Sequence, residues 1–150
     1  MTLKTTIESD VKAALLGGER FKADVLKNLK AAILNEEVAL NQRDAGLSDE
    51  LIEKLIAREV KKRHESAALY RQAQRQELAQ QEEKEAEILA SYLPEQVSEE
   101  DLKKAIAEII ESTGANGQAA MGQVIGAVKA KFGNAADGAT VAKLVKDALL

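Results

Sequence analysis

Residues 49–74 read DELIEKLIAREVKKRHESAALYRQAQ, and this stretch decides the fold class. It holds neither glycine nor proline. Ile52, Ile56, Ala67 and Tyr70 recur at the spacing that places side chains on one face of an α-helix. Ser48 or Asp49 supplies the N-cap. The pattern predicts one helix over 49–74, roughly 39 Å long at 1.5 Å per residue. Composition extends this to the whole chain. Its 150 residues include 26 Ala, 18 Leu, one Pro, four aromatics and no Cys. Alanine and leucine lead the helix propensities, and a β-sandwich or barrel would need β-branched and aromatic strands. The expected class is all-α. Without cysteine there is no disulfide, thiolate zinc site or cysteine nucleophile, and a reducing compartment is compatible.

Working outward, Leu3, Ile7, Val11 and Leu15 mark a first helix that Gly17-Gly18 ends. A second is expected from about Glu19 to Arg43, with Phe21, Val25, Leu29 and Ile33 as its apolar stripe. A turn at 44–47 precedes the third helix. A fourth covers about Glu77 to Tyr92; Arg75-Gln76 is a weak break, so one helix continuous with the third is the alternative. Pro94 disfavours helix at Leu93 and marks a boundary. Ser98 then caps a helix carrying Leu102, Ile106, Ile109 and Ile110, which Gly114 ends. Two more are expected at about 118–132 and 138–149. The organisation expected is an N-terminal domain, 1–94, of three to four long helices as a bundle or hairpin, and a C-terminal domain, 95–150, of three short ones.

Charge sits on two of the apolar stripes. Glu59, Arg63 and Ser66 share the face of Ile52 and Ile56, and Glu82 and Glu85 share that of Leu78 and Leu89. Glu59 and Arg63 stand in the favourable i,i+4 order for an ion pair. An interhelical polar network of Glu59, Arg63, Ser66, Glu82 and Glu85 is the favoured explanation, since buried charge is tolerated only when paired. An acid/base site, or stripes that are not fully buried, are the alternatives. His64 is the only histidine and has no second histidine or nucleophile at a useful spacing. No phosphate-binding glycine motif or metal-binding helix motif is present. Nothing in the residues resembles a catalytic site, and neither metal nor cofactor is expected.

Net charge is −4, which disfavours nucleic acid at first sight. Residues 115–150, however, carry Lys129, Lys131, Lys143 and Lys146 against Asp137 and Asp147, a net of +2, leaving −6 for residues 1–114. Gly122 and Gly126 share one helix face with Lys129. Interior glycines cost about 1 kcal/mol relative to alanine. The favoured reason for them is close approach of a neighbouring helix, and the alternative is close approach of an RNA backbone. No apolar run spans a membrane and no signal peptide is visible, so a cytoplasmic protein is expected.

The run Lys61-Lys62-Arg63-His64-Glu65-Ser66, then Tyr70, Arg75, Glu77-Leu78 and Tyr92-Leu93-Pro94-Glu95-Gln96, resembles the YqeY family. So do Met121-Gly122-Gln123-Val124, Asp137-Gly138 and Val145-Lys146. The resemblance covers essentially the whole chain. It implies two helical modules, the second similar to the tail domain of the GatB subunit of tRNA-dependent amidotransferases. In that enzyme the tail helps hold tRNA while kinase and amidase chemistry resides elsewhere. The implied role is a non-catalytic tRNA-binding or amidotransferase-related accessory protein, with tRNA or a tRNA-modifying complex as partner. RNA would lie near Gly122, Gly126, Lys129, Lys131, Lys143 and Lys146. Homology would pass on the class of glutamine-dependent carbon–nitrogen ligase, but a chain with only the tail-like part should lack that activity alone. A helical protein-interaction module with no RNA role is the alternative. One departure stands out. Where relatives often read Gly-Arg-Ala-Asp-Gly, this chain has Asn134-Ala135-Ala136-Asp137-Gly138, without the arginine that would bind phosphate.

Overall fold

The computed structural model describes residues 1–150, which form seven α-helices, two short 3-10 turns and no strand. They divide into two compact units, Met1–Leu93 and Pro94–Leu150.

The first unit holds α1 (Leu3–Leu16), α2 (Arg20–Ala39), α3 (Asp49–Gln72) and α4 (Gln76–Ala90). Local chemistry sets the starts. Thr2 accepts from the Thr5 N–H at the head of α1, and Ser48 from the Leu51 N–H at the head of α3. Three ends share one geometry, with a left-handed residue just past the helix and a reach-back hydrogen bond from the residue after it. Gly18 serves α1, Asn41 serves α2 and Gln74 serves α3. The reach-back bonds are Glu19 N–H to Ala14 C=O, Gln42 N–H to Glu37 C=O and Arg75 N–H to Tyr70 C=O, at 2.9, 2.7 and 2.8 Å. Asn41 therefore stops α2 at Ala39, not near Arg43. Gln74 separates α3 from α4, which excludes one continuous helix, and folds them into an antiparallel hairpin.

The core of this unit gathers Ile7 and Val11 of α1, Leu26, Leu29 and Ile33 of α2, and Ile52, Leu55 and Ile56 of α3, with Leu47 and Leu89. Beyond that core α3 and α4 meet through Ala67, Ala79 and Ala86, each fully buried. Small side chains let the two backbones approach. Three expected core positions lie outside: Leu15, Phe21 and Leu78 are 50%, 39% and 37% exposed. Each sits at the end of its stripe, and for Leu15 and Phe21 the 3.6-residue period has drifted from the strict four-residue spacing. Ala14 and Ala79 are buried in place of Leu15 and Leu78.

The second unit holds α5 (Glu99–Thr113), α6 (Met121–Phe132) and α7 (Gly138–Leu149), with 3-10 turns at Gln118–Ala120 and Gly133–Ala135. Ser98 caps α5 by accepting from the Asp101 N–H, and left-handed Gly114 ends it. Asp137 caps α7, accepting from both the backbone N–H and the hydroxyl of Thr140. The helix expected from 118 begins as 3-10 and becomes α only at Met121. Leu102, Ile106, Val124, Val128, Val141, Leu144 and Val145 form the core.

Candidate functional site

Arg63 of α3 is the centre of the polar cluster. Its guanidinium lies 3.9 Å from Glu59 on its own helix, and 3.8 and 3.2 Å from Glu82 and Glu85 of α4. The four side chains are 20–30% exposed. They line the flank of the hairpin and not the middle of a buried face, so the stripes are incompletely buried. Ser66 is half-buried on the same flank, and no hydrogen bond joins it to the cluster. The contacts are ionic: Nε of Arg63 and Oε2 of Glu82 are buried without a hydrogen-bond partner. Three carboxylates thus face one guanidinium. Burial raises the Glu85 carboxyl above the usual carboxylate range, Arg63 opposes that, and Glu82 adds to it.

This arrangement has a pH signature. A raised folded-state pKa means that Glu85 is tolerated best when protonated. Its favourable contribution is complete below the unfolded value and is lost as pH rises through the folded one. Glu85→Gln should therefore raise the thermal midpoint at pH 7 relative to the parent and leave it unchanged near pH 4. Thermal scans across pH check this, and a lower midpoint at pH 7 would show that Glu85 is held by Arg63 more than it is penalised.

The sequence stripe missed Glu37. It is the one buried charged residue, 1% exposed. Lys4 Nζ of α1 donates to its Oε1 and Oε2 at 3.0 and 2.9 Å, and the Leu47 N–H donates to Oε2 at 3.1 Å. Glu37 thereby joins α1, α2 and the connection into α3. The signal was present: Glu37 follows Phe21, Val25, Leu29 and Ile33 at the same four-residue step. Elsewhere in the unit the Tyr92 hydroxyl donates to Asp10 at 2.6 Å, and burial pushes its pKa up.

In the second unit charge is segregated. Helix α5 carries five acids and two lysines. Helix α6 has only Lys129 and Lys131, and α7 has Lys143 and Lys146 against Asp147. All four lysines are exposed. Lys131 Nζ stands 5.4 Å over the ring of Phe132. Gly122 and Gly126 are exposed as well, and a Cβ built at either meets nothing within 4 Å. Close approach of a neighbouring helix, the favoured reason for them, is therefore excluded. The face of α6 bearing these glycines is open.

Gln96 donates from its side-chain amide to the carbonyls of Pro94 and Asn134, at 3.0 and 3.1 Å. The Val97 N–H donates to Ala135 C=O at 2.8 Å. The Leu-Pro-x-Gln segment and the turn before α7 are thus stitched together, and this motif acts structurally. No group of acidic or histidine side chains is arranged to hold a metal ion, and no helix is long and apolar enough to cross a membrane.

The family model described as Yqey-like protein matches residues 4–149. The chain is also similar to altered inheritance of mitochondria protein 41, mitochondrial, of Clavispora lusitaniae (strain ATCC 42720). Identity is 26% over 117 residues, which cover 76% of this chain and 66% of that protein. The match spans just under two-thirds of the relative's length.

Proposed function

The chain belongs to the YqeY-like family, and on that premise we propose that it is a non-catalytic accessory protein that binds tRNA, or serves a tRNA-dependent amidotransferase, through α6 and α7. The observation that carries this reading is the open face of α6. Gly122 and Gly126 forgo helix stability with no packing reason. Absence of side chains there leaves room for a phosphate backbone to come close, with Lys129 and Lys131 of α6 and Lys143 and Lys146 of α7 supplying positive charge. With only four aromatics, contacts would be to backbone and shape more than to stacked bases. The arginine missing from the 134–138 turn leaves those lysines as the main cations of the surface. The cytoplasm is the proposed place of action, and the mitochondrial location in the relative's name belongs to that protein.

Titration of tRNA into the intact chain across salt tests this. Micromolar, salt-sensitive binding is expected. Changing the four lysines to glutamine should lower the log–log salt slope by about 3, at ~0.7–0.9 per lost phosphate contact. Absence of salt-dependent binding at micromolar concentrations would remove the proposal. Amide formation on a misacylated tRNA by the purified chain would overturn its non-catalytic part.

A further inference from the structure

We propose that the groove between α1 and α2 receives an acidic amphipathic helix of a partner protein, one bulky apolar side chain of which fills the cavity in that groove. The cavity measures about 240 Å³, and Ala31 and Leu34 of α2 present its accessible apolar surface over the buried Ile7 of α1 and Ile33 of α2. An aliphatic cavity of about 150 Å³ accepts a benzene-sized group, so this one has room for a leucine or phenylalanine side chain.

The apolar surface continues past the cavity. Leu34 is 44% exposed and Val38, one turn on, is 58% exposed. With exposed Lys27 and Ala31, the residues 27, 31, 34 and 38 trace one edge of α2 at helical spacing. That edge runs for roughly 16 Å at 1.5 Å per residue, and its apolar part, from Ala31 to Val38, for roughly 10 Å. A small molecule would need only the cavity. A stripe of this length, anchored at one pocket, fits the groove mode of helix recognition.

Charge selects the occupant. Lys4 is neutralised by Glu37 and Glu8 offsets Lys30 in the cavity lining, which leaves exposed Lys27, further along the same edge of α2, as the net positive charge beside the groove. A second copy docking the same face would set two surfaces of the same net charge against each other. An acidic helix meets that charge favourably.

A photo-crosslinking residue in place of Val38, in the full chain expressed in its own host, tests the idea. The expected adduct is a protein segment with helical apolar spacing and negative net charge. Leu34→Glu should abolish the adduct while leaving the thermal midpoint and tRNA binding unchanged, so failure here and failure of the RNA proposal are separable. The captured segment, made as a peptide, should bind the protein. Exchanging its acids for lysine should weaken that binding at least about tenfold. No adduct, an adduct to a second copy or to a basic segment, or equal binding by the two peptides would overturn the proposal.

Discussion

Lys4→Met should lower folding stability by about 3 kcal/mol, more than any other single surface substitution in the first unit. The carboxylate of Glu37 is fully buried and takes hydrogen bonds from Lys4 and from the Leu47 N–H. Removing one member of such a pair strands the other charge, which costs about 3–5 kcal/mol. The lower end applies because the Lys4 side chain keeps 36% exposure and its partner gains some access to water when it goes. The acid limb should move too. Lys4 is the largest influence holding the Glu37 carboxyl below the usual range, ahead of the opposing effect of burial. A depressed pKa supplies stability above the unfolded value and loses it as pH falls through the folded one. Without Lys4 that loss begins at higher pH. Urea denaturation at several pH values measures both effects, and a variant within about 1 kcal/mol of the parent would show the pair to be incidental. The double variant Lys4→Met/Glu37→Met should recover only part of the loss, since it strands no charge but leaves the buried Leu47 N–H without its acceptor.

The double substitution Gly122→Ala/Gly126→Ala should move two quantities in opposite directions. Stability should rise by about 1–2 kcal/mol, because alanine is the better helix former and neither new methyl group meets a neighbour. Affinity for tRNA should fall by about tenfold, equivalent to about 1.4 kcal/mol, because the methyl groups hold the RNA backbone away from α6. A loss of binding with a gain of stability cannot come from misfolding. Unchanged tRNA binding would show that no backbone approaches the glycines, and the proposed surface would have to be abandoned at α6.

The starts of α3 and α5 were legible because their chemistry is local: Ser48 and Ser98 each cap with a side chain that reaches three residues on. The ends were less so. Gly17-Gly18 and Gly114 are visible stops, but Asn41 and Gln74 adopt left-handed backbone without being glycine, and nothing in their type obliges them to. The break between α3 and α4 is therefore set by the packing of the hairpin, which no local window contains. The Arg63 cluster could be assembled from spacing alone because its members lie on consecutive helices. The Glu37 pair was not legible, because Lys4 lies off the apolar stripe of Leu3, Ile7, Val11 and Leu15 and no periodicity of α1 points it at Glu37, 33 residues away. The glycines of α6 show the opposite limit. Their spacing suggested a tight helix contact, and only the position of α6 in the unit shows that the face has no neighbour.

The hydrogen bond between Tyr92 and Asp10 spans 82 residues, and it has a consequence for biosynthesis. Chains emerge from the ribosome at about 5–20 residues per second, so α1 is complete for roughly 4–15 s before the residue that bonds to Asp10 exists. During that interval α1 and α2 can pair, but the end of α4, with Leu89 and Tyr92, is absent from the core they share. Completion of the first unit is thereby timed by its last turn. A nascent chain from which the Tyr92-Leu93-Pro94 segment has not yet emerged would lack the Asp10 hydrogen bond and the packing of Tyr92 and Leu93 against the core.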